Sequence, residues 1–394
     1  MAQSIKVEVN PAVLKWARTS IGLSAEAAAK KIDVSLDVLS AWELGDEFPT
    51  LSKLRAAAKN YKRPLAVFFL AEVPSDFQTM HDFRRLSDGA PVSATPELLY
   101  EIRRAHSRRL DALDLAKDLD FEMEGFTAFT TRVDANPEEV AAKIRKLLDI
   151  SLTDQMKWKN NSKALREWRA RVESRGVLVF QASRIPLSEM RGFSISETLL
   201  PVIVLNSGDA PSGKVFSLLH EFTHLLLRSG GICSFEESSQ SDDPDVHLEK
   251  FCNHVAGAAI VPGAAIGQDE ITLQIARDGK LPSHEELAAA AKRFATSKEV
   301  IARRLLILNY VNAQYYETKR KEFIEEYKKL AAVKKNFAVP HHYKVIGANG
   351  VEFTRMVLSA YSQDKITSSE LSDLLSMKLK HLSSVESEVF GLAA

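Results

Sequence analysis

The chain has 394 residues, more than one ordinary domain, and its 45% apolar content can bury a large core unaided. Basic and acidic side chains balance at 52 each, so no overall field draws it to nucleic acid or anionic lipid, and any such binding needs a local patch. Cys233 and Cys252 are too few for a disulfide framework, no apolar run is long enough to span a bilayer, and the opening MAQSIKVEVNP lacks a signal-peptide core; the expectation is a soluble cytoplasmic protein with no membrane partner.

Residues 10–70 predict a compact all-helical unit, with helices at 11–20, 25–32, 35–43, 51–61 and 64–70. Ser24 reads as an N-cap before an alanine-rich helix, and Gly22 and Gly45 mark turns. Leu39, Trp42 and Leu54 read as core. The unit resembles the XRE-type helix-turn-helix in Gly22-Leu23-Ser24, Ala28, Val34-Ser35, Trp42-Glu43, Gly45, Pro49 and Leu54. That resemblance implies a repressor-like five-helix domain whose helix 35–43 would enter the major groove, and a tendency to pair as a homodimer. Its candidate contacts to DNA or to a partner are Ser35, Asp37 and Ser40 on the helix, with Lys30, Lys31, Lys53 and Arg55 around it. Yet residues 32–49 contain Asp33, Asp37, Glu43, Asp46 and Glu47 and no Lys or Arg. Base edges are usually read by Arg, Lys, Asn or Gln. The target of this domain therefore stays open between DNA and a protein.

Pro74-Ser75 suggests a boundary. Residues 96–175 are charged and predicted helical; in EIRRAHSRRLDALDLAKDLD, Ile102, Leu110, Leu113 and Leu119 fall at helical spacing and the charges read as a solvated face. Then GVLVFQA (176–182) and PVIVLNS (201–207) predict two strands bracketing a Gly- and Ser-containing loop. After residue 240 the pattern returns to helices, including a charged run at 315–335 and a final segment at 340–394, where Gly347 and Gly350 are expected to make a turn.

Residues 220–231 read HEFTHLLLRSGG. His220 and His224 are four apart, so one helix face presents both imidazoles, with Glu221 one residue further round. Two nitrogen ligands can hold Zn2+ while the carboxylate takes the proton of an activated water. Phe216, Leu219, Leu226 and Leu227 would bury this helix, and Gly230-Gly231 would stop it. The chain supplies its own control: His284-Glu285 begins the same way, but Ala288 stands where a second His is needed, so this reads as an ordinary helix start.

A catalytic zinc needs a third protein ligand. Residues 241–262, SDDPDVHLEKFCNHVAGAAIVP, read as a helix capped by Asp242 or Asp243, opened by Pro244 and closed by Pro262. It offers His247, Glu249, Cys252 and His254. A distant carboxylate on a second helix favours Glu249, with His247 next; Asn253, four residues after Glu249, could support the ligands. Together, PVIVLNS, KVFSLLHEFTHLLL and LEKFCNHVAGAAIVP resemble the ImmA/IrrE metallopeptidases over roughly residues 175–311, with Cys252 where that family usually has Ala. The resemblance implies a thermolysin-like site in which His220, His224 and Glu249 bind zinc and Glu221 is the general base. It also implies a repressor or antitoxin-like protein as substrate. Strand 201–207 could pair with an extended substrate. No nearby Tyr or Arg stands out to stabilise an oxyanion; Arg191, in the loop between the two strands, is a weak candidate and reads more readily as a surface charge.

Residues 284–309 form a second possible helix-turn-helix, carrying Lys292, Arg293, Lys298, Arg303 and Arg304, with packing as its expected role. The expected architecture is α+β and mostly helical: a helix-turn-helix domain (1–73), a helical connection (74–174), a zincin-like domain with a small sheet (175–330) and a helical C-terminal segment (331–394). The expected function is a regulatory zinc metallopeptidase. The alternative is a DNA-binding regulator or antitoxin-like interaction protein whose peptidase domain acts as a sensor.

Overall fold

The computed structural model describes residues 6–74, 81–82, 94–122, 125–126, 129–158, 160–229, 231–233, 244–333 and 339–391. These fall into two compact units, one made of 6–74 and 94–104, the other of 81–82 and 105–391.

The first unit has helices Pro11–Thr19, Ala25–Ile32, Leu36–Leu44 and Leu51–Tyr61, followed by a 3-10 helix Leu65–Phe69. Asn10, Ser24, Ser35 and Thr50 cap the four α-helices with their side chains, and each supplies an acceptor to N–H groups that have no partner within the helix. Leu39, Trp42 and Leu54 are buried in the core as the sequence suggests. The fifth element is 3-10 rather than α because Pro64 opens only five residues; the Asn10 amide then ties down the carbonyls of Leu70 and Ala71 at 3.2 and 2.7 Å.

The second unit is built on a five-stranded sheet in the order β1-β5-β3-β4-β2, where β1 is His81–Asp82, β2 Leu178–Ala182, β3 Gly192–Ile195, β4 Val202–Asn206 and β5 Gly231–Cys233. Strands β2 and β4 are parallel, while β3 runs antiparallel to both β4 and β5. Two sequence expectations change here. The segment read as a loop contains β3, whose four residues, Gly-Phe-Ser-Ile, are too short and too mixed to signal a strand but are all buried. And β4 cannot accept an extended substrate, because β2 and β3 already occupy both of its edges.

The long helix Pro96–Asp118 is present, and its apolar face is partly the expected one: Ile102 and Leu113 are half-buried. Along its second half, Ala105, Arg108, Ala112 and Leu115 are buried, followed by Leu119 just past its end, while Leu110 is exposed. Two alanines and one buried arginine share the contact with Leu115 and Leu119. The C-terminal segment, described over 340–391, packs at the outer edge of the sheet. Helix His341–Asn349 ends at Gly350, and Gly347 lies inside it rather than in a turn. Arg108 Nη1 donates to Ala348 O at 3.2 Å, Arg169 Nη1 to Gly347 O at 3.1 Å, and the Arg169 guanidinium also bonds Val179 O on β2. Gly350 has φ +82°, and a Cβ there would meet Glu173 Oε1 at 2.7 Å and Val179 O at 2.8 Å, so only glycine fits.

Glu173 accepts from Arg169 Nε at 3.3 Å and from Val351 N at 3.2 Å. Burial pushes its carboxyl up to about 7, against the opposing pull of Arg169. The folded chain therefore binds this proton more tightly than the unfolded chain, and the stability it contributes below about pH 4.5 is lost as pH rises to about 7. The loss should amount to at most ~3 kcal/mol. Urea unfolding at pH 4.5, 5.5 and 7 should show the wild type losing stability relative to Glu173→Gln across this range; parallel curves for the two proteins would contradict it.

Candidate metal centre

The central helix, Pro211–Leu227, starts with proline at N1 and is apolar almost all round, so it lies buried from Ser217 to Leu226. It is ended by Arg228, which adopts the left-handed conformation at φ 55°, rather than by the glycines; Gly230 lies outside the described residues. This turn brings Ser229 back over the helix, where its N–H donates to His224 O at 3.0 Å and its Oγ sits 3.2 Å from His224 Nδ1.

Helix Pro244–Ile260 crosses beside it; the proposed caps Asp242 and Asp243 lie outside the described residues. It brings Glu249 to both imidazoles: Oε2 is 3.3 Å from His220 Nε2, and Oε1 is 3.1 Å from His224 Nε2. The two Nε2 atoms are 3.1 Å apart, so they cannot both carry protons. His220 Nδ1 lies 3.0 Å from Asn253 Oδ1. An amide oxygen only accepts, so Nδ1 carries the proton and Nε2 keeps its lone pair. One ligand atom from each of His220, His224 and Glu249 lies within 4.8 Å of the others. Lone pairs crowded on one point repel unless a cation stands among them, and the nitrogen–nitrogen–carboxylate set suits zinc. Burial raises the Glu249 carboxyl, but His220 and His224 together draw it well below the usual range.

Glu221 is fully buried beside this cluster. Its Oε2 accepts from Ser194 Oγ at 2.9 Å, while Oε1 has no hydrogen-bond partner among the described residues. Burial raises its pKa, opposed by His224 and His220. Strand β3 makes the room: a Cβ on Gly192 would stand 3.0 Å from Glu221 Oε1 and 3.3 Å from Val204 O.

The other sequence candidates are placed elsewhere. His247 is exposed. His254 Nε2 sits 3.3 Å from Glu138 Oε1. Cys252 is a free, fully buried thiol. Arg191 Nη1 pairs with Asp209 Oδ2 at 3.3 Å. Asn206, at the end of β4, is an organiser: its amide donates to Ile185 O and Met190 O and accepts from Gly208 N, fixing the turn into the central helix. Sequence reasoning missed Gly192, Ser194 and Ser229. The first two form an i, i+2 pair that would have become visible only once β3 was recognised as a strand.

In the first unit, Lys30, Lys31, Asp37 and Arg55 are exposed and Ser40 is half-buried. Ser35 is the cap of Leu36–Leu44, its Oγ accepting from Val38 N at 3.3 Å. Lys53 Nζ is engaged by Ile32 O, Asp33 O and Asp33 Oδ2 at 3.2, 2.6 and 3.2 Å. The acidic surface is also smaller than composition suggests. Glu43 turns inward to a two-pronged bond with Arg18 at 2.6 and 2.8 Å. What helix Leu36–Leu44 exposes is Asp37 with Leu36 and Leu44, the last 73% exposed.

Residues 172–306 match the peptidase family model described as IrrE N-terminal-like domain, and residues 14–68 match the one described as Helix-turn-helix. This chain joins a helix-turn-helix domain to an IrrE-like domain of metallopeptidase type. No curated protein matches it. The IrrE-like match includes β3, the central helix, Glu249 and Asn253. Among the described residues, no helix is long and apolar enough to cross a membrane.

Within the IrrE-like domain, Asn253→Ala removes the acceptor that fixes the His220 ring. Zinc affinity, measured by competition with a chromophoric chelator, should fall ~10–100-fold. An unchanged affinity would show that the amide has no part in metal binding.

Proposed function

We propose that the protein is a regulatory zinc endopeptidase, with His220, His224 and Glu249 as metal ligands and Glu221 as general base. The observation that carries this reading is the Glu221 Oε1 atom, buried and unpartnered among the described residues, beside three converging ligand atoms. A fold needing only stability would have given that oxygen a donor. A bound zinc supplies a Lewis acid that polarises a peptide carbonyl and acidifies water. Ser194 orients the Glu221 carboxylate through Oε2, leaving Oε1 to take a proton from the attacking water and return it to the departing nitrogen. Asn253 and Ser229 hold the two imidazole rings in register.

The substrate we propose is a partner protein of repressor or antitoxin-like type. The helix-turn-helix domain brings the peptidase to it, either on DNA or directly. The exposed Lys30, Lys31 and Arg55 would reach phosphates, whereas the helix Leu36–Leu44 offers only Asp37, Ser40 and two leucines to base edges. This favours positioning by backbone charge, or a protein surface, over sequence readout.

Co-expression with the products of neighbouring genes should yield a fragmented partner. Glu221→Gln should keep about one zinc per chain and lower cleavage by at least ~10²-fold. Equal proteolysis by this variant would overturn the reading. Affinity for the chain's own promoter should fall steeply with added salt and fall further in Lys30→Glu/Lys31→Glu. Absence of binding at low salt would assign the domain to a protein partner instead.

A further inference from the structure

His220, Glu221 and His224 are 0% exposed, and of the four side chains at the metal centre only Glu249 keeps some surface, 17% of its side chain. A peptide bond cannot reach groups enclosed in this way, so part of the chain stands where a substrate has to lie. An extended peptide is held by pairing its backbone with a free strand edge. Both edges of β4 and both of β3 are taken. The outer side of β2 faces helix His341–Asn349, and Arg169 bonds its Val179 carbonyl.

The covered edge beside the metal centre is the one between β3 and β5. Gly192 and Ser194 of β3 lie against the Glu221 carboxylate. Strand β5 begins two residues after Ser229, whose hydroxyl meets His224, and it ends opposite Gly192. It therefore runs from a histidine of the cluster to the buried carboxylate, one strand spacing of ~4.8 Å from β3. The pairing that holds it there is short. β5 matches β3 at Gly192 with Cys233 and at Phe193 with Ile232. Its other edge is closed by β1, in parallel, at His81 with Gly231 and Asp82 with Ile232. β1 comes from far upstream, in the stretch of sequence between the helix-turn-helix domain and helix Pro96–Asp118. So short a parallel pair adds little to the stability of a sheet.

We infer that β5 and β1 form an autoinhibitory strap that takes the substrate's place on β3 and keeps the metal centre latent. The inference rests on the peptidase reading above. β1 is the latch: while paired, it closes the outer edge of β5 and holds that strand along β3. The chain runs directly from the helix-turn-helix domain to β1, so engagement of that domain can draw β1 away. β5 is then held to β3 alone, and an extended segment of the partner protein replaces it. β3 keeps its pairing with β4, so Gly192 and Ser194 stay against Glu221.

Neighbouring N–H groups of a strand point to opposite sides, so His81→Pro/Asp82→Pro removes whichever donor faces β5. The full chain, loaded with zinc and challenged with excess chromophoric chelator, should release its metal slowly. With the open form below about a tenth of the population, the double variant should release zinc about ten-fold faster or more. Zinc content and melting temperature should not change, and cleavage of the co-expressed partner should rise with the release rate. If proline disturbs the fold, His81→Gly/Asp82→Gly weakens the same strand and should act in the same direction. A folded variant with the wild-type release rate would overturn the strap and leave the peptidase reading intact. Faster release with unchanged cleavage would overturn it too, since β5 would then shield the metal without standing in for substrate. Absence of bound zinc, or of any cleavage, in both proteins would remove the peptidase reading and the strap with it.

Discussion

The second unit is organised around one carboxylate buried away from bulk water. An ion in a protein interior costs several kcal/mol unless hydrogen bonds or a counter-charge compensate it. Glu221 receives one bond, from Ser194, and space from Gly192. Both come from the same short strand, two residues apart and so on the same face. That explains why β3 must lie between β4 and β5, antiparallel to both. A strand elsewhere in the sheet would leave the carboxylate without a donor.

The second helix of the site is fixed with equal care, by cations that composition alone would assign to the surface. The last carbonyls of Pro244–Ile260 have no intrahelical partners. Arg145 Nη1 donates to Ala259 O at 2.7 Å, the neutral Gln155 amide to Ile260 O at 2.8 Å, and Arg304 Nε to Val261 O, one residue past the helix, at 2.9 Å. Positive charge at a helix C-terminus is favourable in itself. The larger consequence is axial: with its end clamped, the helix cannot slide, and Glu249 and Asn253 keep their register on the two imidazoles. The same internal use of cations explains why residues 284–309 look basic in sequence but present little free positive charge. Arg293, Lys298 and Arg304 all have acidic partners within the unit.

The helices of the first unit were legible because their signals are local: Ser24 reads as a cap from sequence, and Ser35 and Thr50, which the sequence reading did not take as caps, likewise act within three residues. The pair His220 and His224 was legible for the same reason, since i, i+4 spacing decides the helix face. Spacing favoured Glu249 but only a family resemblance set it well above its rivals, because its distance from the histidines is set by how two helices cross. Strand β3 was hidden because being buried on both faces erases alternation, and its glycine and serine serve Glu221 rather than the strand. The face of Pro96–Asp118 was only partly legible because Ala105, Arg108 and Ala112 join Leu115 and Leu119 in the contact while Leu110 stays exposed. The acidic count near the helix Leu36–Leu44 misled in the same way. Glu43 belongs to a buried pair with Arg18, and sequence cannot reveal which acids turn inward.

The supports of the site divide into two sets on different elements. Asn253 and Ser229 act on the histidine rings, from the neighbouring helix and from the turn that ends the central one. Ser194 and Gly192 act on Glu221, from the sheet. A disturbance of the sheet therefore reaches Glu221 before the histidine rings, and one of the crossing helix reaches the rings before Glu221. On the proposed reading, metal binding and proton transfer would thereby be mechanically separable, although His220 and Glu221 are adjacent in the chain.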